Sequence, residues 1–246
     1  MMLKGFWRLT WVETKVFVRE PMGVVGTLVI PVVLYLMLGR TFGLNRATAT
    51  AVPPFNIAIL AALFIAIGAV LSLVAIISIY REGGILKRLR ATPLSPVTIL
   101  GSHVVVKLVF AVLSLGLLLL AGKQTFPGAM QVNIASFTAA VLLSTLSIIS
   151  MGFVVASIVP TARFAQPIGA ALTYPMVAIS GLFFPVERMP GALQVIAKAL
   201  PTTHAVILME GVWDGSGWLA HWNNAAALIL IAAVCVATST RIFRWE

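Results

Sequence analysis

The sequence predicts an all-α membrane protein with six transmembrane helices and both ends in the cytoplasm. An amphipathic interfacial helix precedes the spans, and an outer re-entrant helical hairpin lies between helices five and six. Three observations lead there. The 246-residue chain is 60% hydrophobic and only 10% charged, with a mean hydropathy of +1.05, whereas a soluble domain carries about 25% charged residues. Too little polar surface is left to cover a globule in water, so lipid must solvate much of the chain. Apolar runs of membrane-crossing length recur along it, and lysine and arginine are distributed unevenly between the segments that join them.

The first twenty residues are too polar to span but have helical periodicity. At about 100° per residue, Lys4, Arg8, Lys15 and Arg19 fall within about 60° of one another. Leu3, Phe6, Trp7, Trp11, Phe17 and Val18 share a broad sector beside them. A basic stripe bordering an aromatic face describes a helix in the membrane interface, its cations toward anionic headgroups. A solvated helix packed on another subunit is the competing reading. Pro21 punctuates the turn into the first span.

A spanning helix needs about 20 apolar residues, because the hydrocarbon core is about 30 Å thick. Runs of this kind cover 21–39, 55–79, 98–121, 134–159, 165–184 and 223–241. With the N-terminus inside, eleven lysines and arginines fall in cytoplasmic segments and five in outer ones. That bias favours the N-in, C-in arrangement. Lys107 remains inside the third span. It is either a functional intramembrane charge or a side chain that snorkels to the nearby cytoplasmic end or faces a cavity. Pro31, Pro167 and Pro175 are candidate kink points, and Ser144, Ser147, Ser150 and Gly152 would allow close helix approach in the fourth span.

Between spans two and three, Gly83-Gly84 stops the incoming helix, and Ile85 to Arg90 reads as a short basic helix with Ile85, Leu86 and Leu89 on one side. Pro93 and Pro96 end it. A plain connector needs only a few residues; a small helix with an apolar knob and flanking charges suits docking in another protein's groove. After span five, Pro185 and Pro190 lead to the apolar stretch Ala192 to Leu200, which Pro201 separates from a second stretch reaching Trp213. Two short helices split by proline predict a re-entrant hairpin, allowed at membrane depth only where protein covers its broken backbone. Two helices lying on the outer surface are the alternative. Trp213, Trp218 and Trp222 cluster as interfacial aromatics do.

Other classes find little support. The formal charge of +10 reads as a cytoplasmic cation excess, since no basic stripe interleaves with aromatics as nucleic-acid binding requires. A single cysteine, Cys235, excludes an internal disulfide and a multi-cysteine metal site. Ala47 to Ala51 offers a weak cleavage-site pattern, but the apolar run before it starts late and more spans follow, so the N-terminus is expected to be retained. Ion-coupled transporters place ionisable groups at mid-membrane, whereas all seven acids here lie outside the spans. His103, His204 and His221 lie in three separate places, with no H-E-x-x-H or G-x-S-x-G, so neither a catalytic nor a metal site is expected. No G-x-x-x-x-G-K-[ST] sequence exists to cradle ATP phosphates.

The interfacial helix, the basic loop and the broken outer segment, in this order, resemble the membrane subunit of the ABC-2 type transporter family. The likeness covers nearly the whole chain. Its sharpest pieces are E-G-G-I-L-K-R-L-R-A-T-P-L-S-P from Glu82, S-G-L-F-F-P-V-E-R-M-P from Ser180 to Pro190, and L-P-T-T-H from Leu200 to His204. The branch it looks most like is the daunorubicin-resistance permease group of multidrug and lipid exporters. The resemblance implies one domain over 1–246, located in the cell (inner or plasma) membrane and assembled with a second membrane subunit, identical or different, and two cytoplasmic ATPase subunits. ATP and Mg would be used by those partners and no cofactor bound here. It implies a connecting helix at 1–20 (Lys4, Arg8, Lys15, Arg19, Trp7, Trp11) and a coupling loop at 80–97. In that loop Glu82, Gly83, Gly84, Leu86, Lys87, Arg88, Leu89 and Arg90 would meet the ATPase. The outer gate would fall at 185–213, around Pro185, Pro190 and Pro201. Polysaccharide-exporting relatives tend to line their channel with aromatics, whereas Phe64, Phe110, Phe137, Phe153, Tyr35 and Tyr174 are scattered here. That points to an amphipathic drug or lipid-like substrate ahead of a polysaccharide or glycolipid.

Overall fold

The computed structural model describes residues 2–41, 56–85, 96–125, 132–159 and 161–242. Every regular element among them is helical. Helix α1 is Met2–Arg19. The first expected span is a single helical run in three pieces: α2 (Pro21–Val24), a π-helical turn at Val25–Val29, and α3 (Ile30–Thr41). The widened turn lies just ahead of Pro31, which has no N–H for the carbonyl of Thr27. There the Ile30 N–H reaches back to the carbonyl of Val25 instead.

Four further runs become long helices. These are α4 (Ile57–Glu82), α5 (Pro96–Thr125), α6 (Ile134–Ile158) and, after the outer segment, α11 (Trp222–Ile242). Each is long and apolar enough to cross a bilayer. Asn56 caps α4 by accepting from the N–H groups of Ala58 and Ile59 at 3.0 and 3.3 Å. Asn133 caps α6 through the N–H of Ser136 at 3.1 Å. In hydrocarbon these first-turn donors would otherwise lack a partner.

The fifth expected span is shorter than the apolar run that predicts it. Helix α7 (Ala162–Ala178) holds Pro167 and Pro175 and stops before the run does. The chain then turns through Gly181, whose φ of 96° is a left-handed conformation that side chains disfavour. A 3-10 turn at Val186–Arg188 leads into α8 (Gly191–Ala199) and α9 (Pro201–Trp213), which meet at 78°. Together α8 and α9 have the length and apolarity of one span, but the bend keeps them from being one straight crossing. A short α10 (Gly217–Ala220) joins them to α11.

Helix α4 is the axis of the bundle. It packs chiefly on α6 and α7, with α3, α5 and α9 around it, and α6 packs in turn on α11 and α9. Its neighbours come close where side chains are absent. A Cβ at Gly152 of α6 would lie 3.0 Å from Val70, and one at Gly169 of α7 would lie 3.0 Å from Leu71. The close approach expected at Gly152 is therefore present. Helix α11 is mostly exposed, as a helix facing lipid or another subunit would be.

At the turn from α9 to α11, the ring of His221 lies against Gly211, the Ser216 hydroxyl donates to the Gly211 carbonyl at 2.8 Å, and His221 Nε2 pairs with the same Ser216 oxygen at 3.0 Å. A Cβ at position 211 would collide with the imidazole. Gly211→Ala is expected to cost about 1–3 kcal/mol and to lower the melting temperature in detergent. Gly116→Ala, where nothing lies within 4 Å of the added carbon, is expected to be neutral or slightly stabilising. Equal melting temperatures for the two variants would contradict this packing.

Candidate functional site

The predicted coupling segment begins where α4 ends. The Gly83 N–H donates to the Ile79 carbonyl at 2.9 Å, and that of Gly84 to the Arg81 carbonyl at 3.1 Å. Gly84 has a φ of 65°, the left-handed conformation that ends helices and that glycine adopts without strain. Glu82 is exposed in the last turn of α4, beside exposed Gly83. Leu86, Lys87, Arg88, Leu89 and Arg90 lie outside the described residues.

Just before this stop, two consecutive side chains reach in different directions. Arg81 donates from Nη1 to the Val159 carbonyl at 2.6 Å and from Nη2 to the Ala156 carbonyl at 2.8 Å. It thereby satisfies carbonyls that the end of α6 leaves without helical partners and places a cation at the negative end of that helix. The hydroxyl of Tyr80 contacts both carboxylate oxygens of Glu13 on α1, at 3.1 Å each.

Helix α1 has more than the two faces its periodicity implies. Trp7, Trp11 and Val18 are exposed, as are Arg8, Lys15 and Arg19. The ammonium of Lys15 lies 5.2 Å from the Trp11 ring centroid, close enough for a cation–π contact. Of Lys4 only the backbone is described, within α1. Phe17, grouped with the tryptophans by periodicity, is instead buried against Phe110 of α5 with ring centroids 4.4 Å apart. Thr10 and Glu13 are buried with it.

Glu13 is the centre of a group that sequence reasoning missed. It is only 4% exposed, and its Oε2 lies 3.4 Å from Nδ1 of His103 on α5. Burial pushes its carboxyl above the ordinary carboxylate range, against the downward pull of the Tyr80 hydrogen bond and the charge of Lys107. Lys107 lies one turn beyond His103 and does not snorkel. It is 2% exposed, donates to the Ser72 hydroxyl of α4, and holds its ammonium 3.9 Å from the centroid of the Phe17 ring. The one sequence signal for this group was an acid on the same side of the helix as Phe17 and Thr10, away from the cations.

The outer prolines form a separate group. Pro185 precedes the 3-10 turn, Pro190 precedes α8, and Pro201 opens α9, where its missing N–H costs no helical bond. Pro201, Thr202 and Thr203 are buried, and the Thr202 hydroxyl donates to the Met176 carbonyl of α7 at 3.0 Å. Most of α8 is exposed, with only Ala197 buried. His204 links the three neighbouring helices: Nε2 lies 3.0 Å from the Lys198 carbonyl and Nδ1 lies 2.9 Å from Asn224. A cavity of about 300 Å³ opens between Gly181–Glu187 and α9, with Glu187 and Glu210 in its wall. Among the described residues no group of three or more His, Cys, Asp or Glu is arranged to hold a metal ion.

The ABC-2 type transporter family model matches residues 4–212, a range that takes in all but the first two residues of α1, the whole of α4 and all but the last residue of α9. The chain is also similar to Nodulation protein J of Rhizobium meliloti (strain 1021), 27% identical over 104 residues, which is 42% of this chain and 40% of that protein. Nodulation protein J of Rhizobium leguminosarum bv. trifolii is 25% identical over 104 residues, with the same coverage. The match spans about two fifths of the length of these curated relatives. A family match over most of the sequence, joined to several helices of membrane-crossing length, makes this a multi-pass membrane protein that belongs to the ABC-2 type transporter family.

Proposed function

We propose that this chain is the transmembrane permease subunit of an ATP-driven exporter. It moves an amphipathic drug or lipid-like molecule outward with energy from a separate ATPase. Two copies of that cytoplasmic subunit hydrolyse ATP with Mg, and a second membrane subunit completes the path. The chain crosses the membrane six times with both ends inside: the run from α2 to α3, then α4, α5, α6, α7 and α11. Helices α8 and α9 form a re-entrant outer hairpin that closes the path. The exposure of α8 against the burial of the α9 start supports that hairpin.

The observation that carries this reading is the anchoring of the 81–96 loop where it leaves α4. Arg81 grips the end of α6, Tyr80 grips α1, and the glycine stop follows at once. A push on a loop rooted in this way reaches several helices, whereas a loop on a frayed end would absorb it. The preference for an amphipathic substrate rests on where the span aromatics lie. Tyr35, Phe110, Phe137 and Phe153 are buried in packing, which leaves only Phe64 and Tyr174 of the six partly or largely exposed. Four of them are thus unavailable to stack against sugar rings.

Two experiments test the proposal. With the chain reconstituted beside the ATPase subunit it copurifies with, Leu86→Ala and Glu82→Gln are expected to leave ATP hydrolysis in place. Transport of a fluorescent amphiphile is expected to fall by about tenfold, as losing about 1.4 kcal/mol of transmitted interaction would produce. Undiminished transport in both variants would remove the coupling role of the loop. In a Cys235→Ser background, a membrane-impermeant maleimide applied to intact cells should label Val195→Cys and spare Val12→Cys and Ile85→Cys. Labelling of the latter two from outside would overturn the orientation.

A further inference from the structure

We infer that Glu13 is the positioning residue that fixes α1 to the base of α4, so that the interfacial helix and the root of the 81–96 loop move as one body. The inference rests on the transport reading only for its mechanical consequence. The docking itself stands on geometry.

Among the described side chains of α1, the fully buried ones form a narrow strip. Trp7, Trp11, Val12, Val16 and Val18 are all exposed, while Thr10, Glu13 and Phe17 are buried. Glu13 and Phe17 lie one turn apart, as do His103 and Lys107 on α5, and the two pairs meet in register. Glu13 lies 3.4 Å from His103, and Phe17 receives the Lys107 ammonium on its ring at 3.9 Å. Two rungs of this kind set how α1 lies along α5. Tyr80 then crosses from α4 to both Glu13 oxygens, so that Glu13 is held through polar contacts from α4 and α5 together. The neighbouring Arg81 binds α6, so a displacement at the end of α4 is shared with α1 and α6 together.

An apolar side chain at position 13 would fill the same space but accept nothing, leaving the Tyr80 hydroxyl without its acceptor. A carboxamide would still accept through one oxygen. This separates a positioning role from simple packing. The ionisable groups facing Glu13 are Tyr80 from α4 and His103 and Lys107 from α5. Glu20, just past the end of α1, acts on Lys107.

The test is hydrogen exchange of the α1 amides in the full chain, in nanodiscs containing anionic lipid at constant pH. Glu13→Leu and Tyr80→Phe are expected to speed exchange at residues 6–17 by about tenfold or more, and Glu13→Gln to stay near the wild-type rate. Should Glu13→Leu fail to fold, Tyr80→Phe carries the test, since it removes a single oxygen. Wild-type exchange in Glu13→Leu or Tyr80→Phe, or exchange in Glu13→Gln as fast as in Glu13→Leu, overturns the assignment, because packing or charge alone would then hold α1. Loosened α1 with undiminished ATP-driven transport would overturn its transmitting role. Failure of the chain to bind any ATPase subunit would overturn the transport reading and leave the docking result standing.

Discussion

Almost every side chain of α4 must find a protein neighbour, because the helix is enclosed by others along most of its length. In lipid this enclosure gains little from expelling apolar groups, since hydrocarbon already solvates them, and so it depends on shape. The shape comes from small residues. Ala58, Ala61, Ala62, Ala66 and Ala69 are buried along α4. Gly152 and Gly169 bring α6 and α7 against Val70 and Leu71. A helix held so closely along its length has little room for polar contacts, and Ser72, which accepts from Lys107, is a small exception within it. Tyr80 and Arg81 make their polar contacts in its last turns, where the packing opens.

The same logic separates what hydropathy reveals from what it hides. The four long helices, the proline-split outer segment and the glycine stop at residue 83 were legible, because each is a local property of composition. The end of the fifth span was not. Apolar residues continue through Leu182, Phe183 and Phe184, yet the helix stops at Ala178 and Gly181 turns the chain. Hydropathy registers apolarity and does not register whether the backbone is still helical. The cavity holding Glu187 and Glu210 was hidden for another reason, since its walls come from two elements that only tertiary packing brings together.

Helix α1 marks the limit of periodicity itself. A helical wheel divides residues into apolar and charged sectors, which suffices for a helix with water on one side and lipid on the other. Helix α1 meets a third environment, the bundle, and its buried strip contains an acid, a threonine and a phenylalanine. Trp11 and Phe17 look equivalent by composition and have opposite fates. What decides is Phe110 and Tyr80, residues 93 and 67 positions away from Phe17 and Glu13. No local pattern carries that information.

The Glu13 group also bears on whether the chain is driven by ions. In chain position all seven acids lie outside the spans; in space one of them comes within reach of an ammonium buried in α5. A buried acid near a histidine and a lysine is the usual start of a proton path, and such a path must continue. On α5 the next ionisable residue after Lys107 is Lys123, and α6 contains none. Along α4 nothing ionisable precedes Tyr80, and the Lys107 ammonium is already engaged by Ser72 and Phe17. Among the described residues of α4, α5 and α6, then, no ionisable side chain continues the group toward the other end before Lys123, and the group is placed to hold helices together. Charge confined in this way serves to register α1 on α5 and α4, as a buried polar group does when it selects one packing among several apolar ones.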